Sequence, residues 1–133
     1  MNGVYLIVGI LSILFSFSHA WNGQSSFLPI TNASDIDLVS KTTIFYIWHI
    51  ITAENLIFGV AFTVMSMYKD LSKVKFTAWM IAVIMVARWT VILGSTLFRN
   101  KNGVSDTLTE SIVILIFVGL IILGIRKKGK ILE

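Results

Sequence analysis

The chain contains no cysteine. That excludes disulfides, thiolate metal sites, covalent haem attachment through a Cys-x-x-Cys-His pattern and any thiol redox relay. Charge is also scarce: 14% of residues are Asp, Glu, Lys or Arg, against ~25% in soluble domains. There is no phosphate-binding glycine loop, no serine-centred elbow and no His-x-x-x-His pair, so no residue presents itself as catalytic. GxxxG is missing too, with Ser12-x-x-x-Ser16 the nearest small-residue pair. No repeat relates the two halves, which weakens a transporter built from inverted repeats within one chain.

Apolar sequence fills the space. Hydrophobic residues make up 56% of the 133 positions. They gather in four runs near residues 4–20, 43–67, 76–98 and 111–125. A hydrocarbon core of ~30 Å needs roughly 17–25 helical residues to cross it, so four spans and their loops use up the chain. The expected fold is one domain over residues 1–133, an all-α integral membrane protein with four antiparallel transmembrane helices. It leaves no room for a soluble catalytic domain.

The net charge of +4 is no nucleic-acid signature, because the basic residues cluster at helix ends. Lys69, Lys73 and Lys75 join spans two and three, and Arg126, Lys127, Lys128 and Lys130 follow span four. The other loops hold Lys41, Arg99 and Lys101, beside Asp35, Asp37, Asp106 and Glu110. Seven Lys/Arg against three predict that both termini are cytoplasmic and two loops lie outside, as expected for a plasma (inner) membrane protein. The basic tail also suits anionic lipid. Residues 4–17 resemble a signal-peptide core followed by Ser18-His19-Ala20, but no Lys or Arg precedes them. An uncleaved transmembrane helix is therefore expected.

Local signals set the expected boundaries. Span one should end near Trp21-Asn22-Gly23, with Trp21 at headgroup level and Gly23 as a left-handed cap. Residues 24–40 read as an outer loop containing the single proline, Pro29, with Phe27-Leu28 packed back on the bundle. The Asn32-Ala33-Ser34 sequon there is taken as loop composition. Ser40 is the expected N-cap of span two, which should run to Tyr68. The short 69–75 connection makes spans two and three antiparallel neighbours. Thr107-Leu108-Thr109-Glu110 reads as a capping box opening span four.

At 100° per residue, Tyr5, Gly9, Ser12, Ser16 and His19 share one narrow face of span one. Thr42, Tyr46, His49, Thr52, Asn55, Gly59, Thr63 and Ser66 share half of span two. Small and hydroxylated residues suit helix–helix seams, so these stripes should face each other. Glu54 lies 11 residues from the outer end of span two and Arg88 lies 10 from that of span three, which places both roughly 15–17 Å deep. A lone charge there costs on the order of 2.5–3.5 kcal/mol, so the two should pair. Such a pair can fix helix register, or Glu54 can serve as a proton or cation site. The arginine favours a permanently charged carboxylate, whereas a proton carrier must lose and regain its proton.

His19 and His49 are the only histidines, and imidazoles on adjacent helices can ligate a metal or haem iron. Their depths differ and no carboxylate is spaced with either, while zinc wants three or four ligands. A satisfied polar seam under a belt of Trp21 and Trp48 is the simpler reading, with haem as an alternative and no cofactor expected.

His19-Ala20-Trp21-Asn22-Gly23 closing span one, followed by Trp48-His49, resembles a group of small bacterial four-helix membrane proteins. Members carry a His-x-x-x-Gly pattern and a Trp-His pair at similar places. The group has no assigned activity, so the resemblance implies architecture. In size and helix number the chain is also similar to small multidrug resistance transporters. Their essential glutamate is in the first span, where this chain has no acid.

The function expected is a non-enzymatic accessory or small-ligand-binding membrane subunit. Its outward-facing pocket would be lined by His19, Trp21, Tyr46, Trp48, His49 and Asn55, above the Glu54 and Arg88 ion pair. The bilayer is its first partner. Four spans bury little between them, so association with itself or with a larger membrane complex is also expected. A small dimeric proton-coupled transporter using Glu54 is the alternative, and a haem or quinone redox subunit using His19 and His49 a further one.

Overall fold

A computed structural model describes residues 1–127; Lys128 and Lys130 of the basic tail lie outside the described residues. Among the described residues every regular element is helical. The elements are α1 (Gly3–Asn22), α2 (Leu28–Ala33), α3 (Leu38–Ser66), α4 (Lys75–Arg99) and α5 (Leu108–Arg126). Four helical stretches, Gly3–Ala33, Leu38–Ser66, Leu71–Arg99 and Lys101–Arg126, are long and apolar enough to cross a membrane.

The first stretch runs past its expected end. Gly23 has φ −58° and ψ −52°, so it continues the helix and is not a left-handed cap. The wider turn Gly23–Phe27 then carries the chain into α2, and the Leu28 N–H reaches back five residues to the Gly23 carbonyl. Such a π-turn loosens the usual ladder, which gives Pro29 a place in a helix where its ring would otherwise clash. Residues 24–33 are thus helix where a loop was expected. Phe27-Leu28 does pack back: Leu28 is buried and Phe27 stacks on Trp48 at 4.5 Å.

Two expected helix starts also shift. Asp37, not Ser40, caps α3: one carboxylate oxygen accepts the Ser40 N–H at 3.0 Å and the other the Ser40 hydroxyl at 2.6 Å. The chain enters helical geometry at Leu38, so Ser40 already lies inside the first turn, and Asp37, still extended, is the residue placed to cap. The capping box at α5 does not form. Thr107 is already in helical conformation, and its hydroxyl donates to the Val104 carbonyl within the tight helical turn Lys101–Thr107. At the far end α3 stops at Ser66, two residues short of Tyr68, where the Ser66 hydroxyl folds back on the Thr63 carbonyl. Asp70 then opens the short turn Leu71–Val74 by accepting from Ser72 N and Oγ.

The helices run up and down, with α1 packed most extensively on α3 and α5, and α5 on α4. Gly9 and Gly59 allow the closest approach. A Cβ on Gly9 would sit 2.9 Å from the Gly59 carbonyl oxygen and 2.7 Å from the Thr63 nitrogen. The crossing is therefore backbone on backbone. Farther along, Ser16 donates to the Thr52 carbonyl at 2.8 Å, so the two small-residue stripes do meet.

At the end where α1 begins and α5 finishes, Asn2 ties three helices. Its Oδ1 caps α1 by accepting from Val4 N and Tyr5 N. Its Nδ2 donates to Gly124 of α5 at 3.0 Å, and its backbone N–H donates to Ser66 of α3 at 2.8 Å. Tyr5 and Phe62 fill the core just beyond, ring edge to face at 5.4 Å.

The short 69–75 link does not make α3 and α4 close neighbours. Their backbones meet only sparsely, and side chains bridge the gap. Opening this side of the ring leaves space inside it.

Candidate functional site

That space is a cavity of about 230 Å³ in the half of the bundle away from the start of α1 and the end of α5. It is built from one stripe of each long helix: Ser12, Phe15 and His19; Trp48, Ile51, Asn55 and Phe58; Met85, Arg88 and Ile92; and Glu110, Val113, Ile114 and Phe117. Each set recurs at three- or four-residue steps, so each is one helical face. The lining is mostly aromatic and aliphatic, with a few polar groups set into it.

Arg88 is the centre of the polar set. Its Nη1 donates to Glu54 Oε2 at 2.9 Å and its Nη2 to Asn55 Oδ1 at 3.1 Å. The two acceptors are consecutive residues of α3, one turned outward and one inward. Glu54 is 29% exposed and Arg88 17%, while Asn55 is 6% exposed. Only Asn55 and Arg88 border the cavity; Glu54 holds the guanidinium from behind. Because Arg88 fixes which Asn55 atom is the oxygen, the amide Nδ2 is identified as well. That nitrogen is buried and has no acceptor among the described residues.

The upper wall explains two short sequence patterns as one unit. The Trp48 indole stacks on His19 with ring centres 4.4 Å apart and donates its N–H to the His19 carbonyl at 3.0 Å. Any side chain at Gly23 would run into the same indole. His19, Gly23 and Trp48 are therefore a ring, the carbonyl it binds and the gap that admits it. The imidazole Nδ1 of His19 meets Thr52 Oγ1 at 2.9 Å.

His49 is elsewhere. Its Nε2 pairs with Gln24 Nε2 at 2.9 Å and its ring meets Phe45 edge to face; it does not line the cavity. Tyr46 and Trp21 also lie outside, 49% and 77% exposed. Of the six residues expected around a pocket, the structure brings together His19, Trp48 and Asn55. The polar stripe of span two is half a helix wide, and only its inner edge faces the bundle. No three His, Asp or Glu side chains converge on one point among the described residues.

Glu110 escaped the sequence reading as a site residue. It is exposed in the first turn of α5 and stands at the rim of the cavity. Its signal was the spacing with Val113, Ile114 and Phe117, which puts an acid at the top of an inward stripe. No known protein family, characterised protein or solved structure matches this chain.

Proposed function

We propose that this is a multi-pass protein of the plasma (inner) membrane, with both termini cytoplasmic, that holds a small molecule in a pocket open to the outer face. It acts as a non-enzymatic accessory or ligand-binding subunit, alone as an oligomer or within a larger membrane complex. Four apolar helices support insertion, and the basic 69–75 loop and C-terminal end support the orientation.

One observation carries the binding role: a mostly apolar cavity inside the bundle is walled by Arg88 and Asn55. Packing alone would close this space with aliphatic side chains. Apolar pockets with a few convergent polar groups are what small-ligand sites look like. Glu54 sits behind Arg88 and outside the lining, so it supports the guanidinium better than it serves as a proton carrier.

The missing cysteines make the test clean. Single-cysteine variants Lys73→Cys, Asn102→Cys, Ile112→Cys and Val113→Cys are treated on intact cells with a membrane-impermeant maleimide. Asn102→Cys is expected to react at once and Lys73→Cys only after permeabilisation. Val113→Cys, inside the cavity, is expected to react from outside, whereas its neighbour Ile112→Cys, facing away, stays unreactive in lipid. A Val113→Cys silent under all conditions removes the pocket; Lys73→Cys labelling on intact cells reverses the orientation.

A further inference from the structure

We infer that the cavity takes the headgroup of a neutral, planar, carbonyl-bearing lipid, with quinone chemistry, whose tail leaves between α3 and α4. The inference rests on the pocket reading above and adds the ligand's class.

The hydrogen bonds ask for an acceptor. Asn55 lines the cavity, 94% of it buried, and its Nδ2 has no partner among the described residues. Arg88 has five N–H groups, and two bonds to protein are made. An oxygen placed beside these two side chains would complete the Asn55 amide and take a further guanidinium N–H. A buried donor without a partner costs roughly 1–3 kcal/mol, so an acceptor there gains what the protein alone leaves unmet.

The charges ask for a neutral one. Glu54 already balances Arg88 at 2.9 Å, so no net positive charge is left for a carboxylate or phosphate. Glu110 at the rim adds a negative charge at the approach, which disfavours anions further. A ketone or quinone oxygen accepts hydrogen bonds without carrying charge, so it meets both demands.

Shape and access point the same way. The lining is aromatic: Phe15 and Phe117 meet tilted by 57°, with centres 6.4 Å apart, and Trp48 and Phe58 join them from α3. Rings set at such angles suit an aromatic guest in edge-to-face contact. A cavity of ~150 Å³ holds benzene, so about 230 Å³ accommodates a ring with substituents but not a long chain. One turn from the Arg88 bonds, where Ile51 and Ile92 line the cavity, the sparse packing of α3 on α4 offers that chain a way into the surrounding acyl layer.

Decylubiquinone is the probe, and its protection of Val113→Cys from maleimide is the readout, with direct binding to purified protein by equilibrium dialysis beside it. Saturable protection is expected from decylubiquinone, little from decanoate, and little from decylbenzene, which keeps ring and chain but has no carbonyl. Asn55→Leu is expected to weaken decylubiquinone binding roughly tenfold. Should that variant fail to fold, the decylbenzene comparison on the otherwise unchanged protein decides the same point. Equal protection by decanoate or decylbenzene overturns the inference, as does unchanged affinity in folded Asn55→Leu. Labelling of Val113→Cys that decylubiquinone never slows rejects the ligand class and leaves the pocket standing. No labelling under any condition rejects the pocket, and the inference with it.

Discussion

Arg88 grips two consecutive residues of the facing helix, Glu54 at 2.9 Å and Asn55 at 3.1 Å. One bond neutralises charge and the other orients an amide. The backbones of α3 and α4 meet only sparsely, and on that side of the bundle these bonds add to the shared apolar cluster of Phe58, Phe62, Ile81 and Met85. They also set the rotation of α3 about its axis.

The pair is tested by a double-mutant cycle. Glu54→Gln and Arg88→Gln are each expected to lower stability by roughly 2–4 kcal/mol, because each leaves an uncompensated, largely buried charge. The double variant is expected to fall well short of the sum, with a coupling of about 1–3 kcal/mol. Thermal unfolding in one detergent measures all four proteins. Additive losses would mean that the two groups stabilise the fold independently.

The glycine crossing makes a second, sterically simple prediction. A methyl at Gly9 meets backbone atoms of α3 at 2.7 and 2.9 Å, and one at Gly59 meets Gly9 oxygen at 2.9 Å. Backbone cannot rotate away, so Gly9→Ala or Gly59→Ala is expected to cost about 1–3 kcal/mol. Gly94→Ala and Gly119→Ala are the controls. Nothing lies within 4 Å of either new Cβ, and alanine improves helix propensity by ~1 kcal/mol. Those two should be neutral or stabilising in the same melts.

The third concerns acid. Serine hydrogen bonds, from the hydroxyl first and then the backbone, hold the Asp37 and Asp70 carboxyls below the usual range. At low pH the unfolded chain therefore binds protons that the folded chain resists. The stabilisation is complete above the unfolded value of about 4 and fades as pH falls through the lower folded values. Asp37→Asn with Asp70→Asn can still accept from the serines but cannot titrate. Between pH 6 and pH 3 this double variant is expected to lose less melting temperature than the unchanged chain. An equal loss in both would show that the two caps are uncoupled from pH.

Periodicity carried most of what the sequence disclosed. The four helical stretches, the facing stripes of α1 and α3, and the matched depths of Glu54 and Arg88 follow from 3.6-residue spacing and hydropathy, which average over many residues. Helix ends depend on one or two groups and were harder to read. Asp37 displaced Ser40 because both can cap and only the turn geometry chooses between them. Gly23 looked like a terminator, and its reason proved to be an indole 25 positions later in the chain. Long-range polar contacts left almost no local trace. Asn55 belonged to a broad polar face, and its bond to Arg88 appears only once α4 is placed. Glu110 looked like a capping residue until its neighbours on α5 turned inward.

Asn2 ends up bonded to Ser66 and to Gly124, the latter 122 positions away. A ribosome must deliver α5 before that amide can find its carbonyl there. The start of the first helix can fasten to α3 earlier, through the Asn2 N–H and the Ser66 carbonyl, and gains its second tie only when α5 arrives. A chain cut short before α5 then remains without that second clasp however well its other helices insert.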